Sequence, residues 1–351
     1  MGKKLTIGMA TYDDYDGIYF TIQAIRMYHT EILKEIEFII VDNNPGGAHS
    51  KAITNLVNHI KDRTPIQHIL YDKKQSTAVR NEVFNNSNTP YTLCMDSHIL
   101  YPPETLKKLI NFYSNNPNCE DLLHGPMLYD CLDYAVTHMD PVWRDQMYGT
   151  WASDTRGFNV NGEPFEIPMH GMGVFTCKTD SWLGFSEKFR GFGGEEGYIH
   201  KKFKNAGKKT LCLPFLRWMH RFDRPNGTKY VLDIKDRIRN YYFGWSEVGL
   251  NIEDIKKHFL ECNVQEAVID DAYNQFKMSD KIEVIDIIHE EAKKTTVTSE
   301  RTDNTLCYGE PVTEKRIGTV DIDGKQYPVY GSNCDPDSIK IYPHDHSIGL
   351  T

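Results

Sequence analysis

The residues best suited to chemistry lie at the end of one apolar segment, residues 93–100. The segment runs from Leu-Cys-Met into Asp96-Ser97-His98, and its apolar part predicts a buried strand. In extended geometry Asp96 and His98 point to the same side, because successive side chains alternate. A carboxylate and an imidazole placed in this way can share one divalent cation at the end of the strands where α/β sheets bind ligands. Two solvated polar residues at a strand end are the alternative interpretation.

An acid pair and a later histidine could take part in the same chemistry. Glu195 and Glu196 follow two glycines and open a predicted helix. A carboxylate can serve as a general base if it reaches the proton directly or through one water. Acids in the first turn of a helix are also favoured by the helix dipole alone. His220 follows a predicted strand in an aromatic and basic segment, where a packed core histidine is the alternative.

Strands alternating with helices are expected to position these residues. Predicted strands at 5–10, 37–42 and 67–71 precede the segment that ends at Asp96, and helical patterns separate them. The second of these is a continuous apolar run, as parallel strands buried on both faces require, and strands that alternate with helices predict a doubly wound α/β sheet. Neither G-x-G-x-x-G nor G-x-x-x-x-G-K-[ST] occurs, which disfavours a dinucleotide fold and a phosphate loop.

The C-terminal third has a different pattern. Residues 230–294 are predicted helical, and residues 317–330 read as a hairpin that turns at Asp323-Gly324. We therefore predict three regions: an α/β domain over 1–228, a helical extension over 229–300, and a β-hairpin or irregular region over 301–351.

Composition bounds the class of protein. The chain has 351 residues, 40% hydrophobic and 25% charged, with a formal net charge of −9. This balance is normal for a soluble globular protein and argues against a surface built mainly for nucleic acid. Eight cysteines without a C-x-x-C pair indicate reduced thiols. With no visible signal peptide and no apolar run of about 18 residues, we expect a cytoplasmic protein without a membrane span.

Six motifs in a fixed order carry a resemblance to a known family. They are Asp42-Asn43, Thr77-Ala78-Val79-Arg80-Asn81, Asp96-Ser97-His98, Gly171-Met172-Gly173, the Gly-Phe-x-Glu-x-Phe of residues 184–189, and the Gly-Gly-Glu-Glu of residues 193–196. Over about residues 4–225 the chain resembles the GT-A glycosyltransferases. It is similar to the family-2-like enzymes and to the polypeptide N-acetylgalactosaminyltransferases, which also use Asp-Ser-His. The resemblance implies a GT-A, Rossmann-like, mostly parallel sheet flanked by helices.

The resemblance also implies the roles of single residues. Asp96, His98 and His220 would hold Mn²⁺, or Mg²⁺, beside the diphosphate of a UDP-sugar. Glu196 would be the base that takes the acceptor hydroxyl proton, next to Glu195; the family has Asp where this chain has Glu196. The residues expected to contact the nucleotide-sugar are Thr11, Asp13, Asp42, Arg80, Asp96, Ser97, Gly171 and Gly173.

Several alternatives stay open. Inversion with Glu196 as base is the first hypothesis, and retention is the second, because Asp-Ser-His with a distant histidine resembles the retaining N-acetylgalactosaminyltransferases. A non-catalytic nucleotide- or sugar-binding module is a third. A nucleotidyltransferase would usually carry a glycine-rich loop after strand one, which residues 10–13 lack. The donor sugar, the acceptor (glycan, protein, lipid or modified nucleic-acid base) and the oligomeric state are not determined by the sequence.

Overall fold

The structure is a computed structural model that describes residues 2–129, 132, 135–222, 227–279, 314–322, 325–332 and 339–341. The chain divides into two units, Met1–Asn274 and Gln275–Thr351. The helices are α1 (Tyr15–Tyr28), α2 (Ser50–Ile60), α3 (Asn81–Asn85), α4 (Thr105–Asn115), α5 (Glu195–Asn205), α6 (Ile234–Val248) and α7 (Glu253–Glu261). A further helix covers residues 266–279.

The described residues of the first unit form fourteen strands. They are β1 (Leu5–Thr11), β2 (Ile36–Asp42), β3 (Ile66–Leu70), β4 (Tyr91–Asp96), β5 (Ile99–Leu100), β6 (Leu122–His124), β7 (Met127–Leu128), β8 (Ala135–Val136), β9 (His138–Arg144), β10 (Met147–Ala152), β11 (Phe165–Glu166), β12 (Val174–Lys178), β13 (Thr210–Cys212) and β14 (Trp218–His220).

Eight of these strands form the central sheet, in the order β11-β13-β6-β12-β4-β1-β2-β3. The strands β4, β1, β2 and β3 run parallel to one another. β12 is inserted antiparallel between β4 and β6. Side chains of Ile7, Phe38 and Leu93 are fully buried, which accounts for the continuous apolar runs in these strands. The predicted mixed α/β fold with a mostly parallel sheet is therefore confirmed.

The predicted strand over residues 93–100 is in fact two strands of different sheets. β4 ends at Asp96, a turn contains Ser97 and His98, and β5 belongs to a small sheet with the order β5-β14-β7-β8. The argument from alternating side chains therefore does not apply to Asp96 and His98. The turn between β4 and β5 places Asp96 and His98 together instead. β14 pairs antiparallel with β5 and sets His220 opposite Ile99, which brings His220 close to them.

The described part of residues 114–165 contains one longer strand pair. β9 and β10 pair as an antiparallel hairpin with a register shift between Tyr148 and Thr150.

The helical prediction for residues 230–294 is confirmed up to residue 279, and the remainder lies outside the described residues. α6 and α7 belong to the first unit. Over the described residues, no helix is both long enough and apolar enough to cross a membrane.

The second unit contains one described sheet of three strands. β15 (Glu314–Ile322), β16 (Lys325–Ser332) and β17 (Ile339–Ile341) pair antiparallel in that order. The predicted hairpin strands are thus present, and the turn at Asp323-Gly324 lies outside the described residues.

Candidate active site

Three side chains from two separate parts of the sequence meet at the end of the central sheet. His98 Nε2 lies 3.3 Å from His220 Nε2, and His220 Nε2 lies 3.4 Å from Asp96 Oδ2. Together Asp96, His98 and His220 offer three ligand atoms within 4.8 Å of one another. One carboxylate and two imidazoles form a donor set that suits a divalent transition metal.

The orientation of His98 is fixed from behind by Asp14, the N-cap residue of α1. Asp14 Oδ2 lies 2.7 Å from His98 Nδ1 and accepts a second hydrogen bond from Ser97 Oγ at 2.7 Å. Although burial opposes ionisation, these two hydrogen bonds hold the pKa of Asp14 well below its usual range. The His98 Nδ1–H then donates to Asp14, so its Nε2 lone pair faces Asp96 and His220. A carboxylate behind a histidine is the arrangement that orients metal-ligating imidazoles, so these residues fit a bound cation.

Arg80 connects this cluster to the acid pair. Its Nη2 donates to Asp96 Oδ1 at 2.9 Å, and its Nη1 donates to Glu195 Oε1 at 3.5 Å. Burial would favour neutral Asp96, but the Arg80 guanidinium, together with His220 and His98, outweighs it, and the pKa of this carboxyl lies well below its usual range. Asp96 is therefore held as an acceptor for a cation.

The acid pair lies at the start of α5 and has the opposite electrostatic character. Glu195 is 1% exposed and Glu196 is 8% exposed, and the Oε2 atom of each has no hydrogen-bond partner among the described residues. Burial, then the adjacent Glu195 charge, raise the pKa of Glu196 to about 8. Burial also raises the pKa of Glu195, although Arg80 opposes this. The pair is thus poised to hold a proton near neutral pH.

The metal cluster of Asp96, His98 and His220 and the acid pair of Glu195 and Glu196 face one cavity of about 320 Å³. Trp151, Trp218 and Met139 contribute to its apolar lining, and Tyr12, Phe192 and Tyr230 add aromatic rings. Ten predicted site residues line it: Thr11, Arg80, Asp96, Ser97, His98, Gly171, Gly173, Glu195, Glu196 and His220. An ionised carboxylate–imidazole cluster and a protonatable acid pair therefore meet in a single pocket.

Two comparisons with known proteins bear on this pocket. The crystal structure of GalNAc-T7 with UDP, GalNAc and Mn²⁺ matches 75% of this chain and 55% of its own, with a TM-score of 0.55 at 14% identity. Residues 6–121 match the family model of glycosyl transferase family 2. Over residues 6–121 the chain thus resembles family 2 glycosyltransferases, and it has the GT-A fold. The predicted resemblance is confirmed.

Other solved structures align more loosely with this chain. The mannosyltransferase PcManGT from Pyrobaculum calidifontis, in complex with GDP-Man and Mn²⁺, is 10% identical, with a TM-score of 0.48 over 85% of this chain and 82% of its own. S. aureus TarS 1–349 is 14% identical, with a TM-score of 0.43 over 79% of this chain and 73% of its own. The chain spans about half the length of GalNAc-T7, as 55% of that chain is covered. The search of curated proteins found no match to the sequence of this chain.

Two predicted nucleotide contacts are not part of the cavity lining. Asp42 is 1% exposed; its Oδ1 accepts from the Asn44 amide at 3.0 Å, and its Oδ2 lies 3.7 Å from His68 Nε2. Asp13 accepts from Asn44 Nδ2 at 2.9 Å and from the His49 amide at 3.2 Å. In this structure both carboxylates fix the loop after β2, and their contact with a nucleotide stays a prediction.

The two predicted glycines approach tryptophans closely. A Cβ at Gly171 would lie 2.4 Å from Trp151, and a Cβ at Gly173 would lie 2.9 Å from Trp218. The Gly173 carbonyl also accepts a hydrogen bond from the Asp96 amide at 2.8 Å. A side chain at either position would displace the aromatic walls, so these glycines shape the pocket.

Sequence reasoning missed the contributions of Asp14, Asn43 and the two tryptophans. Asp14 follows Asp13 directly after β1, and the sequence offered no signal to choose between the two. Asn43 lines the cavity next to Asp42, and its side chain donates to the carbonyls of Tyr71 and Lys74. Its strand-end position was visible in the sequence, but the direction of its side chain was not.

Proposed function

We propose that this protein is a metal-dependent glycosyltransferase that moves a sugar from a UDP-sugar to an acceptor hydroxyl with inversion at the anomeric carbon. The observation that carries the proposal is the meeting of Asp96, His98 and His220 with Glu196 in one cavity. A non-catalytic binding module would need the metal cluster of Asp96, His98 and His220 but would not need Glu196 in the same cavity.

Asp96, His98 and His220 would hold the cation, and Asp14 keeps His98 in the required tautomer. Two imidazoles favour Mn²⁺ over Mg²⁺. When bound, Mn²⁺ neutralises the negative charge that develops on a departing diphosphate. Arg80 lies between Asp96 and Glu195 and adds a fixed positive charge on the same side.

UDP as the nucleotide is supported by the fold neighbour GalNAc-T7, whose crystal structure contains UDP, GalNAc and Mn²⁺. At the β1 end of the cavity, the buried hydroxyls Thr11 Oγ1 and Thr77 Oγ1 have no hydrogen-bond partner among the described residues. A ribose or phosphate oxygen would satisfy them. A buried polar atom without a partner costs free energy, so such atoms point to a ligand position.

Glu196 would act as the base. The acceptor oxygen forms a bond to the anomeric carbon, the bond from that carbon to the diphosphate breaks, UDP departs, and the acceptor proton passes to Glu196. Because its pKa is raised to about 8, Glu196 is a stronger base than an exposed glutamate but is ionised only in part at neutral pH. Transfer should therefore increase with pH up to about 8.

The test is a screen of nucleotide-sugars by thermal shift with Mn²⁺, followed by a transfer assay with the donor that stabilises the protein. A true donor raises the melting temperature in a concentration-dependent way, because it binds only the folded state. Stabilisation without transfer or donor hydrolysis would favour the non-catalytic module. NMR of the product anomer separates inversion from retention.

A further inference from the structure

The segment that delivers the acid pair has little conformational preference of its own. Gly191, Gly193 and Gly194 precede Glu195 with φ values of +55°, +100° and +96°. Glycine tolerates this left-handed backbone but also many others. Something outside the segment must therefore select one conformation if the acids are to point into the cavity.

A single buried side chain of α6 makes the required contacts. Asn240 is 0% exposed; its Oδ1 accepts from the Arg190 amide at 2.9 Å, and its Nδ2 donates to the carbonyls of Arg190 at 2.6 Å and Gly193 at 2.9 Å. The carboxamide thus binds both ends of residues 190–193. It does so with one acceptor and two donors, a combination that Asp and Ser both lack.

The glycines permit α6 to come this close. A Cβ at Gly194 would lie 3.0 Å from Asn240 Cβ, and a Cβ at Gly193 would lie 2.8 Å from Arg237 Nε. The hydroxyl of Tyr241, the residue after Asn240 in α6, accepts from the Tyr148 amide at 2.8 Å. The loop and the start of α5 are therefore enclosed by α6 and β10.

We propose that Asn240 is a positioning residue, which fixes residues 190–194 and thereby directs the Glu196 carboxylate into the cavity. The proposal rests on the proposed function of Glu196 as the base. It assigns a role to α6, which lies outside the residues matched by the family 2 model.

The geometry predicts which kinetic parameter changes. All three Asn240 hydrogen bonds go to residues 190 and 193, whereas Asp96, His98 and His220 are positioned by β4, β5 and β14. Loss of the carboxamide should displace the acids and leave the metal cluster in place. A base misplaced by about 1 Å can reduce a rate on the order of 10²-fold.

The experiment compares Asn240→Asp and Asn240→Ser with Asn205→Ala in the full chain. Asn205 is the matched control: its Nδ2 also joins α5 to α6, by donating to the Val248 carbonyl at 2.9 Å, but at the far end of both helices. We expect kcat to fall about 10²-fold in both Asn240 variants, with the donor KM within about threefold. The limb of the pH–rate profile due to Glu196 should also shift. Asn205→Ala should change neither kcat nor the pH–rate profile.

Hydrogen exchange supplies a readout that does not depend on transfer. In the unmodified protein the Arg190 amide should exchange slowly, and Asn240→Ser should accelerate exchange at residues 190–194. Fast exchange of Arg190 in the unmodified protein would overturn the proposal even if no Asn240 variant folds. An unchanged kcat, or a kcat loss matched by an equal loss of UDP affinity, would also overturn it. If the unmodified protein transfers no sugar, the proposed function fails, while exchange still reports on the Asn240 contacts.

Discussion

The two sides of the cavity are built on opposite electrostatic principles. On the metal side, Asp96 and Asp14 are surrounded by donors, and their pKa values are lowered despite burial. On the acid side, Glu195 and Glu196 are more deeply buried and keep oxygens without partners, and their pKa values are raised. The charge of a buried carboxyl therefore depends on the donors and charges around it as well as on its burial.

The difference indicates a division of labour. A carboxylate that stays ionised suits a cation, while one that gains a proton easily suits proton transfer. Arg80 contacts both sides through separate nitrogens, 2.9 Å from Asp96 and 3.5 Å from Glu195. The longer contact leaves Glu195 less well neutralised, and its charge in turn raises the pKa of Glu196. The predictions below change one side at a time.

The largest effect is expected on the metal side. Asp96→Ala removes the anionic ligand of the cluster and should abolish Mn²⁺-dependent UDP binding, with a loss of at least about 10²-fold, while the protein stays folded. Titration calorimetry with UDP in the presence and absence of Mn²⁺ measures it. Asp140→Ala is the control, since the Asp140 side chain is half exposed on β9 beside His138. Unchanged UDP affinity with Mn²⁺ would remove the basis for the metal site.

On the acid side, Glu196→Gln should lower transfer about 10²-fold and leave donor affinity nearly constant. The amide keeps the shape of the side chain but cannot accept the proton. The increase of the rate with pH up to about 8 should disappear in this variant, because the pKa of Glu196 is raised to about 8.

Glu195→Gln is the matched control, as it removes the neighbouring charge and weakens the contact with Arg80. If this change harms turnover more than Glu196→Gln does, Glu195 is the base. If neither change slows transfer, the inverting mechanism fails and the retaining hypothesis replaces it.

The sequence predicted the metal side better than the acid side, for a physical reason. Asp96 and His98 are neighbours in the chain, and His220 follows a strand, so pattern and motif order were enough to group them. Their joint position depends on β5–β14 pairing, which the strand prediction missed by extending β4 through residue 100. The three side chains lie together in the structure although the local geometry assumed for them was wrong, and their role as metal ligands stays a prediction.

Other features depend on contacts that no local pattern encodes. The raised pKa of Glu196 needs the burial of α5, and the conformation of the preceding glycines needs Asn240, which is 46 residues after Gly194 in the chain. The resemblance predicted Asp42 as a nucleotide contact; in the structure its carboxylate is turned toward Asn44 and His68, and the contact stays a prediction. The direction of a side chain is decided by packing, and the sequence reveals only its place in the strand.

A smaller effect is expected for His220→Ala. This change removes one neutral ligand and leaves Asp96 and His98, so metal affinity should fall about 10-fold, less than in Asp96→Ala. Titration of each metal-free variant with Mn²⁺ measures the metal affinity of His220→Ala and of Asp96→Ala. A crystal structure with Mn²⁺ in which the His220 nitrogen lies beyond about 2.5 Å from the ion would contradict the assignment, since typical metal–nitrogen distances are near 2.1 Å.

The smallest effect concerns stability and follows from the raised pKa of Glu196. Below about pH 4.5 this carboxyl is neutral in both folded and unfolded chains. As pH rises toward 8, the unfolded chain releases the proton and the folded chain retains it, so the native protein loses stability until Glu196 ionises in both states. Glu196→Gln cannot ionise. Its melting temperature relative to the unmodified protein should rise by a few degrees between about pH 5 and pH 8.5.

Glu187 offers a control of opposite sign, because Lys74 and Asn81 outweigh burial and lower its pKa. The stabilisation from ionised Glu187 is present above about pH 4.5 and is lost as pH falls through its lowered pKa. Glu187→Gln should therefore lower the melting temperature at neutral pH, and the difference should vanish in acid. Melting curves in metal-free buffer at several pH values measure both variants. If Glu196→Gln follows the Glu187 pattern, Glu196 is ionised in the resting protein, and the two sides of the cavity do not differ as the structure indicates.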